Sequence, residues 1–382
     1  MKRRICLVSA GLHGVNLRLQ PWRYLFETAR GLSQAGHHVT VLTDHPAVKE
    51  HAAWKGIPLI RLPSVSDPFY RRNHALIEAL IHLQPEIILW HTGLTSFLHQ
   101  KFFIPEGARA TGIFTSPLYR LGDLMRLGLP ALLRNPSLSA IHLIGSLLPH
   151  KLIRRCMHQS GLVMLVTETR TTAQKLTSDH LWRGPLQTIM PGVDDFWFQN
   201  HRARGKAFRE TLGFKSTDKV ILYFGSPAPL RGLPVLRQAF QLARTKNSTL
   251  RLLILSRNSK GDEQTPGPDP AIQIVNGFLD VDQVAGYVSA SDVVALPFLL
   301  VPSDAPLSVL EACAQGKPIV TTRVACLPEL AERGRAHLAE PGDPVSLADA
   351  LLQAAADEST SAYPPRLWAD AGVEWSHLVE NL

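Results

Sequence analysis

The chain has 382 residues, 45% of them hydrophobic, and a mean hydropathy of +0.01. That length accommodates two domains with separate cores, and no apolar run approaches the ~20 residues of a membrane-spanning helix. The formal charge of +8 is uneven: the first 200 residues hold 22 Lys and Arg against 12 Asp and Glu, a net of +10, which leaves −2 for the rest. Few aromatics are interleaved with the basic residues, which argues against a nucleic-acid partner. Cys6, Cys156, Cys313 and Cys326 show no metal-ligand spacing and read as reduced packing residues, as expected in the cytoplasm.

The start, KRRICLVSAGL, runs from a short apolar stretch straight into a glycine-containing turn, and is read as a first buried strand in place of a leader peptide. A helical pattern through Leu25, Phe26, Ala29 and Leu32 stops at Gly36 before the strand VTVLT, opening a βαβ unit. Residues 57–62 read as a strand, Leu76, Ile77, Leu80 and Ile81 as one helix face, and 87–90, 112–115 and 162–167 as further strands of an open, mainly parallel sheet. After MPGVDDFWF (190–198) and a polar stretch to Lys219 the alternation resumes. It has strands at 220–224, 250–255 and 272–275, a helix after Pro234, and another capped by Asp280 or Asp282. Residues 259–270 have the composition of a loop.

The chemistry concentrates in PSDAPLSVLEACAQGKPIVTT (302–322). Asp304 and Pro306 read as an N-cap and an early helical position, and Gly316 as the stop before a strand at 318–321. The amides of Leu307 and Ser308 would then face an arriving anion, with Glu311 one turn deeper. Glu311 is flanked by Val309, Leu310, Ala312 and Cys313, and an ionised carboxylate in such company needs a partner. A nucleoside diphosphate suits both, with phosphates on the amides and hydroxyls on the carboxylate. The small Ala312 and Ala314 also allow a Glu311 turned to solvent. Gly11 to Gly14 form a loop after the first strand; the spacing is not GxGxxG, and Asp44 is only faint support for NAD.

Between residues 107 and 160, seven Lys and Arg face one acid, Asp123, among many leucines. Such helices suit an anionic membrane surface or the border of a lipid-linked acceptor, and equally suit a core with a solvated basic face.

Six segments in order, LFETARGLSQAGHHVTVLT (25–43), MPGVDDFWF, YFGSPAPLRGLPVLRQAF (223–240), NGFLDVDQVAGYVSASDVVALPF (276–298), the Glu311 segment and VEWSHLVENL (373–382), resemble glycosyltransferase family 4 over nearly the whole chain. The resemblance implies an α/β GT-B architecture of two Rossmann-like domains facing a cleft. Residues 1–195 would form the acceptor side, 196–365 the donor domain, and 366–382 a helix returning to the first. It implies donor contacts at Gly14, Gly225, Arg231, Gly277, Phe278, Leu307, Ser308 and Glu311, with no metal and no cofactor beyond the nucleotide sugar.

Three positions depart from the family pattern. Ser226 and Pro227 stand where a cation usually follows the glycine, which leaves Arg231 as the diphosphate cation, unless it is an ordinary loop arginine. Ser303 replaces the first of two glutamates eight positions apart; it can hydrogen-bond but supplies no carboxylate, and Asp304 is the neighbouring alternative. Pro117 falls on the family's first-domain His, and His91 is either a substitute facing the acceptor or a structural histidine. The expected activity is a metal-independent, retaining hexosyl transfer from a nucleotide sugar to a glycan or lipid-linked acceptor. Arg231, Ser303 and His91 would act in it, in the cytoplasm or peripherally on the membrane's inner face. The alternatives are a degenerate member that binds a nucleotide sugar or partner without turnover, and a sugar-nucleotide epimerase.

Overall fold

Runs rich in Val, Ile and Leu form two separate sheets in the computed structural model, which describes every residue except 1, 15, 16, 18, 50, 67–72, 128–131, 134, 135, 227, 257–268, 333 and 360–365. The first sheet contains β1 (Arg4–Val8), β2 (His38–Thr43), β3 (His51–Trp54), β4 (Ile57–Arg61), β5 (Ile87–Thr92), β6 (Arg109–Phe114), β7 (Met164–Thr167) and β8 (Leu186–Thr188). Its order is β3-β4-β2-β1-β5-β6-β7-β8. Every neighbouring pair is parallel except the β3–β4 hairpin, where Lys55 (φ 47°) and Gly56 (φ 83°) make the tight turn.

The second sheet contains β9 (Lys219–Gly225), β10 (Leu250–Ser256), β11 (Ile272–Asn276), β12 (Val293–Leu296), β13 (Ile319–Thr322) and β14 (Ala336–Ala339). It is wholly parallel in the order β11-β10-β9-β12-β13-β14. Helices cover both faces of each sheet, so Ile5 to Val8 and Val220 to Leu222 are buried throughout and their sequences are apolar without alternation. In both sheets the chain order reverses at the centre, between β1 and β5 and between β9 and β12, which opens a crevice at the strand ends.

The expected strands all have counterparts, and four more are added to them: the short edge strands β3, β8 and β14, and the central β12. On the helix His74–Leu83 only Leu76 and Leu80 are buried; Ile81 is exposed, so the apolar face is narrower than the spacing implies. Asp280 is the cap of Val281–Ala290, exchanging bonds with Gln283, whereas Asp282 pairs with Arg204 at 2.7 Å. The expected loop at 259–270 lies almost wholly outside the described residues.

The last helix, Trp368–Asn381, lies on the first, Trp22–Gln34. They cross where Gly31 meets Gly372, so closely that a Cβ on Gly31 would stand 2.6 Å from the Gly372 Cα. Trp375, fully buried, donates to Tyr24 Oη (3.2 Å), which donates to the Ile189 carbonyl (2.6 Å). The chain passes between the sheets at two places that touch: Val193 donates to the Arg366 carbonyl (2.9 Å), and Gly192 has no room for a side chain against Leu367.

Candidate active site

β9 and β10 end at Gly225 and Ser256, and Gly277 follows β11. Together with the start of the helix Leu307–Ala314, these strand ends line a cavity of about 330 Å³. Its other wall comes from Leu17, Gln20, Trp22 and Arg23 beside the first sheet and from Asp194 and Trp368 at the two crossings. This is where a doubly wound sheet receives ligands.

Leu307, Ser308 and Glu311 all line the cavity. The helix begins after Pro306 with no capping side chain, which leaves its first amides for an anion and its dipole positive there. Glu311 is half-buried one turn further in, while Val309, Leu310, Ala312 and Cys313 face the core. Gly316, with φ 66°, follows the helix as expected and donates to the Cys313 carbonyl at 2.8 Å.

Arg231 closes the 3-10 turn Pro229–Arg231, its guanidinium 5.5 Å from the centre of the Phe298 ring. Gly225 has φ 137°, and a Cβ there would come within 2.6 Å of Arg231 Nη1, so only glycine lets the guanidinium lie against the strand end. Ser226 offers no charge, and its carbonyl accepts from Tyr223 Oη (2.6 Å); Pro227 lies outside the described residues.

Ser303, only 5% exposed, joins the wall of this cavity to that of a second one of about 260 Å³. The second cavity lies at the ends of β1, β5 and β6 and is lined by His91, Thr92, Ser96, His99, Thr115 and Ser116, among others. His91 is held between Ser9 Oγ (3.0 Å) and Thr115 Oγ1 (2.9 Å). Burial pushes its pKa down to about 4, so the ring is a neutral hydrogen-bonding group at neutral pH. Pro117 is buried and lines neither cavity.

One expectation is corrected, and two expected donor contacts lie off the cavity wall. Asp304 is not the N-cap: it is fully buried, accepts from Thr169 Oγ1 (2.8 Å), and lines neither cavity, so it does not stand in for the missing glutamate; Pro306 occupies the cap position. Phe278 is 76% exposed and off the cavity wall, because Gly277 (φ 129°) redirects the chain and Leu279, Val281 and Val284 supply the apolar lining. Gly14 is exposed and also off the wall, although Leu17 and Gln20 just beyond it belong to it. Asp44 braces loops, accepting from Gly11 N (2.9 Å) and Val65 N (3.3 Å). Gln20, Arg23, Asp194 and Trp368 are site residues that no local pattern marks. Among the described residues no three His, Cys, Asp or Glu side chains gather as a metal-ligand set.

Solved structures resemble the chain along its whole length. Sucrose-phosphate synthase from Thermosynechococcus elongatus matches with a TM-score of 0.63 and 17% identity, covering 100% of this chain and 95% of the other. Anabaena Alr3699/HepE in complex with UDP matches with a TM-score of 0.65 and 13% identity, covering 100% and 99%. The chain has the GT-B fold. Within this GT-B chain, residues 218–357, which contain the second sheet and most of the first cavity's polar lining, match the family model described as Glycosyl transferases group 1. Among curated proteins, D-inositol 3-phosphate glycosyltransferase of Corynebacterium efficiens is 31% identical over 190 residues, 46% of this chain and 44% of that protein. Lipopolysaccharide 1,2-N-acetylglucosaminetransferase of Salmonella typhimurium is 27% identical over 163 residues, 39% of this chain and 42% of that protein. The match thus spans less than half the length of either relative.

Proposed function

We propose that the protein is a retaining, metal-independent glycosyltransferase that moves a hexose from a nucleotide sugar to a glycan or lipid-linked acceptor. One observation carries this reading: an uncapped helix start, Glu311 and Arg231 converge in one cavity, and a second, hydroxyl-rich and imidazole-lined cavity meets it at Ser303. The helix amides and Arg231 balance the charge that develops on a departing diphosphate, and Glu311 takes the ribose hydroxyls. The second cavity holds an acceptor hydroxyl near the anomeric carbon, with Ser303 and neutral His91 as hydrogen-bonding groups, and so supplies proximity. In this reading residues 1–195 serve the acceptor, 196–365 the donor, and 366–382 tie the two together. The Anabaena neighbour's structures with UDP-glucose and the curated glycosyltransferases support the donor class.

The acceptor side is also the basic side. Residues 101–160 carry eight Lys and Arg against Glu106 and Asp123, and Leu121, Met125, Leu133, Ile144, Leu147 and Leu152 are exposed there. Arg134 lies outside the described residues. Exposed apolar side chains beside cations fit peripheral attachment to an anionic lipid surface, which suits a lipid-linked acceptor and a cytoplasmic enzyme. Among the described residues no helix is long and apolar enough to cross a membrane.

The test is incubation with a panel of nucleotide sugars, scoring nucleoside diphosphate release with and without acceptor extracts. Release that depends on acceptor supports transfer. Binding without release would favour the degenerate reading, to which Ser303 and Ser226 lend weight, and an altered donor sugar would favour epimerisation.

A further inference from the structure

The turn 302–306, which shapes both cavities through Pro302 and Ser303, is held from behind by the buried Asp304, and a second carboxyl group, Glu168, is buried within its electrostatic reach. Asp304 and Glu168 are both 0% exposed. Asp304 N donates to the Thr115 carbonyl (2.9 Å) beyond β6, and Asp304 Oδ2 accepts from Thr169 Oγ1 (2.8 Å) beyond β7, so one residue pins the second half of the chain to two strands of the first. Thr169 is itself fixed, since it caps the helix Arg170–Ser178 and accepts from Thr172 N at 3.3 Å. Ala305, at φ 52°, holds a backbone conformation that this tethering must maintain.

Both oxygens of Glu168 and Oδ1 of Asp304 have no hydrogen-bond partner among the described residues, and no cation pairs with either group there. The other titratable groups around them are Tyr24 from the first helix, Tyr119, Cys326 beside the Ala305 amide, and Glu329. Glu329 is already satisfied by Arg170 (3.3 Å) and by the amides of Arg170 (3.0 Å) and Thr171 (2.8 Å). A buried carboxylate with few donors and no cation beside it is neutralised in preference to staying charged.

We propose that Asp304 is a positioning residue that holds the 302–306 turn against the first sheet while its carboxyl and that of Glu168 are neutral, and that deprotonation, which leaves an unpaired charge in this buried place, loosens the turn, Ser303 and the start of the helix Leu307–Ala314. Burial raises Asp304 to about 7 against the pull of its Thr169 bond, and burial followed by the Asp304 charge holds Glu168 well above the carboxylate range. Asp304 therefore loses its proton first. The sign follows from the raised folded values. Above the ordinary Asp range of about 4 the folded chain keeps a proton that the unfolded chain has released, so the pair's contribution weakens with rising pH until Asp304 ionises near 7, and weakens further while Glu168 stays protonated.

The consequence for turnover rests on the transferase reading of the cleft, but the latch itself does not. Hydrogen exchange of the full-length protein, read at peptides covering 302–308 between pH 6 and 8.5, tests it directly, with Asp304→Asn and Glu168→Gln compared at each pH. Wild-type protection there should fall about tenfold or more relative to Asp304→Asn, which keeps an acceptor for Thr169 and has no proton to lose. Identical pH dependence in wild type and both variants would overturn the latch, as would a loss spread evenly over β9 and β10. Should Asp304→Asn fail to fold, Asp304→Ser, which also has no carboxyl to ionise, takes its place, and a loss in it equal to that of wild type would overturn the latch. With UDP-sugar as donor, the KM of wild type should rise over the same interval and that of Asp304→Asn should not. No UDP binding with the exchange result intact would sink the donor reading and leave the latch standing.

Discussion

Replacing Glu311 tests whether the helix start is a nucleotide site. The carboxylate is half-buried in a cavity of about 330 Å³, which a nucleotide would largely fill and dry, so its hydrogen bonds to ribose would be made with little water competing. A hydrogen bond to a charged group contributes about 1.5–3 kcal/mol and a neutral one about 0.5–1.5. Glu311→Ala should therefore weaken nucleoside diphosphate binding by about 1.5–3 kcal/mol, and Glu311→Gln, which keeps the shape and a neutral acceptor, by about 1–2 kcal/mol, or roughly five- to thirtyfold. Neither change touches the helix ladder, because position 311 contributes its carbonyl to Gln315 N (3.4 Å) whatever its side chain. Titration calorimetry with UDP, ADP and GDP measures the effect, and circular dichroism checks the fold. Affinity unchanged within twofold for both variants would mean that Glu311 faces solvent in the complex and that the ribose is held elsewhere.

Arg231→Ala should lower single-turnover transfer by about 100- to 1000-fold, the range for one removed electrostatic donor, with acceptor KM nearly unchanged; an unaffected rate would send the search to another cation. Gly372→Val should force apart two helices whose glycines leave a Cβ only 2.9 Å from the opposing Cα, costing about 1–3 kcal/mol and several degrees of Tm, and an unchanged melt would refute that contact. Leu133→Gln with Leu147→Gln, at positions 67% and 64% exposed, should leave stability within about 0.5 kcal/mol yet reduce sedimentation with anionic liposomes. If wild type does not sediment with them even at low salt, the basic face is merely solvated and the acceptor is soluble.

The second sheet's half of the site was readable because its chemistry is local. The helix start and Glu311 lie within five consecutive residues, and Arg231 follows the end of β9 at a fixed short spacing. The opposite wall was not readable, since Gln20, Asp194 and Trp368 meet there only through the packing of the last helix on the first. Phe278 and Asp304 show the limit of local pattern. A residue next to a functional glycine was turned outward by that glycine's positive φ, and a residue with an N-cap's sequence context was taken by Thr169, 135 positions away. Glu168 gave no signal at all, because Thr-Glu-Thr-Arg at a strand end reads as solvated polar chain, although in the fold Glu168 is fully buried. Strands such as AHLA and LQT are too short for periodicity to register, and their pairing comes from a neighbour already in place.

Because Trp368, Trp375, Leu378 and Val379 pack into the same core as Ile5, Leu25 and Ile87, the order of synthesis constrains the order of folding. β8 is complete at Thr188, yet Trp368 emerges 180 residues later (368 − 188), which at about 5–20 residues per second is a wait of about 9–36 s. Throughout that interval the first helix presents an unfilled apolar groove with the bare Gly31 backbone along it. The second sheet can assemble as soon as it leaves the ribosome, whereas the first must wait for the last helix to return. The half made first is thus the half finished last, and nascent chains stalled anywhere between the two crossings should be the ones that chaperones hold.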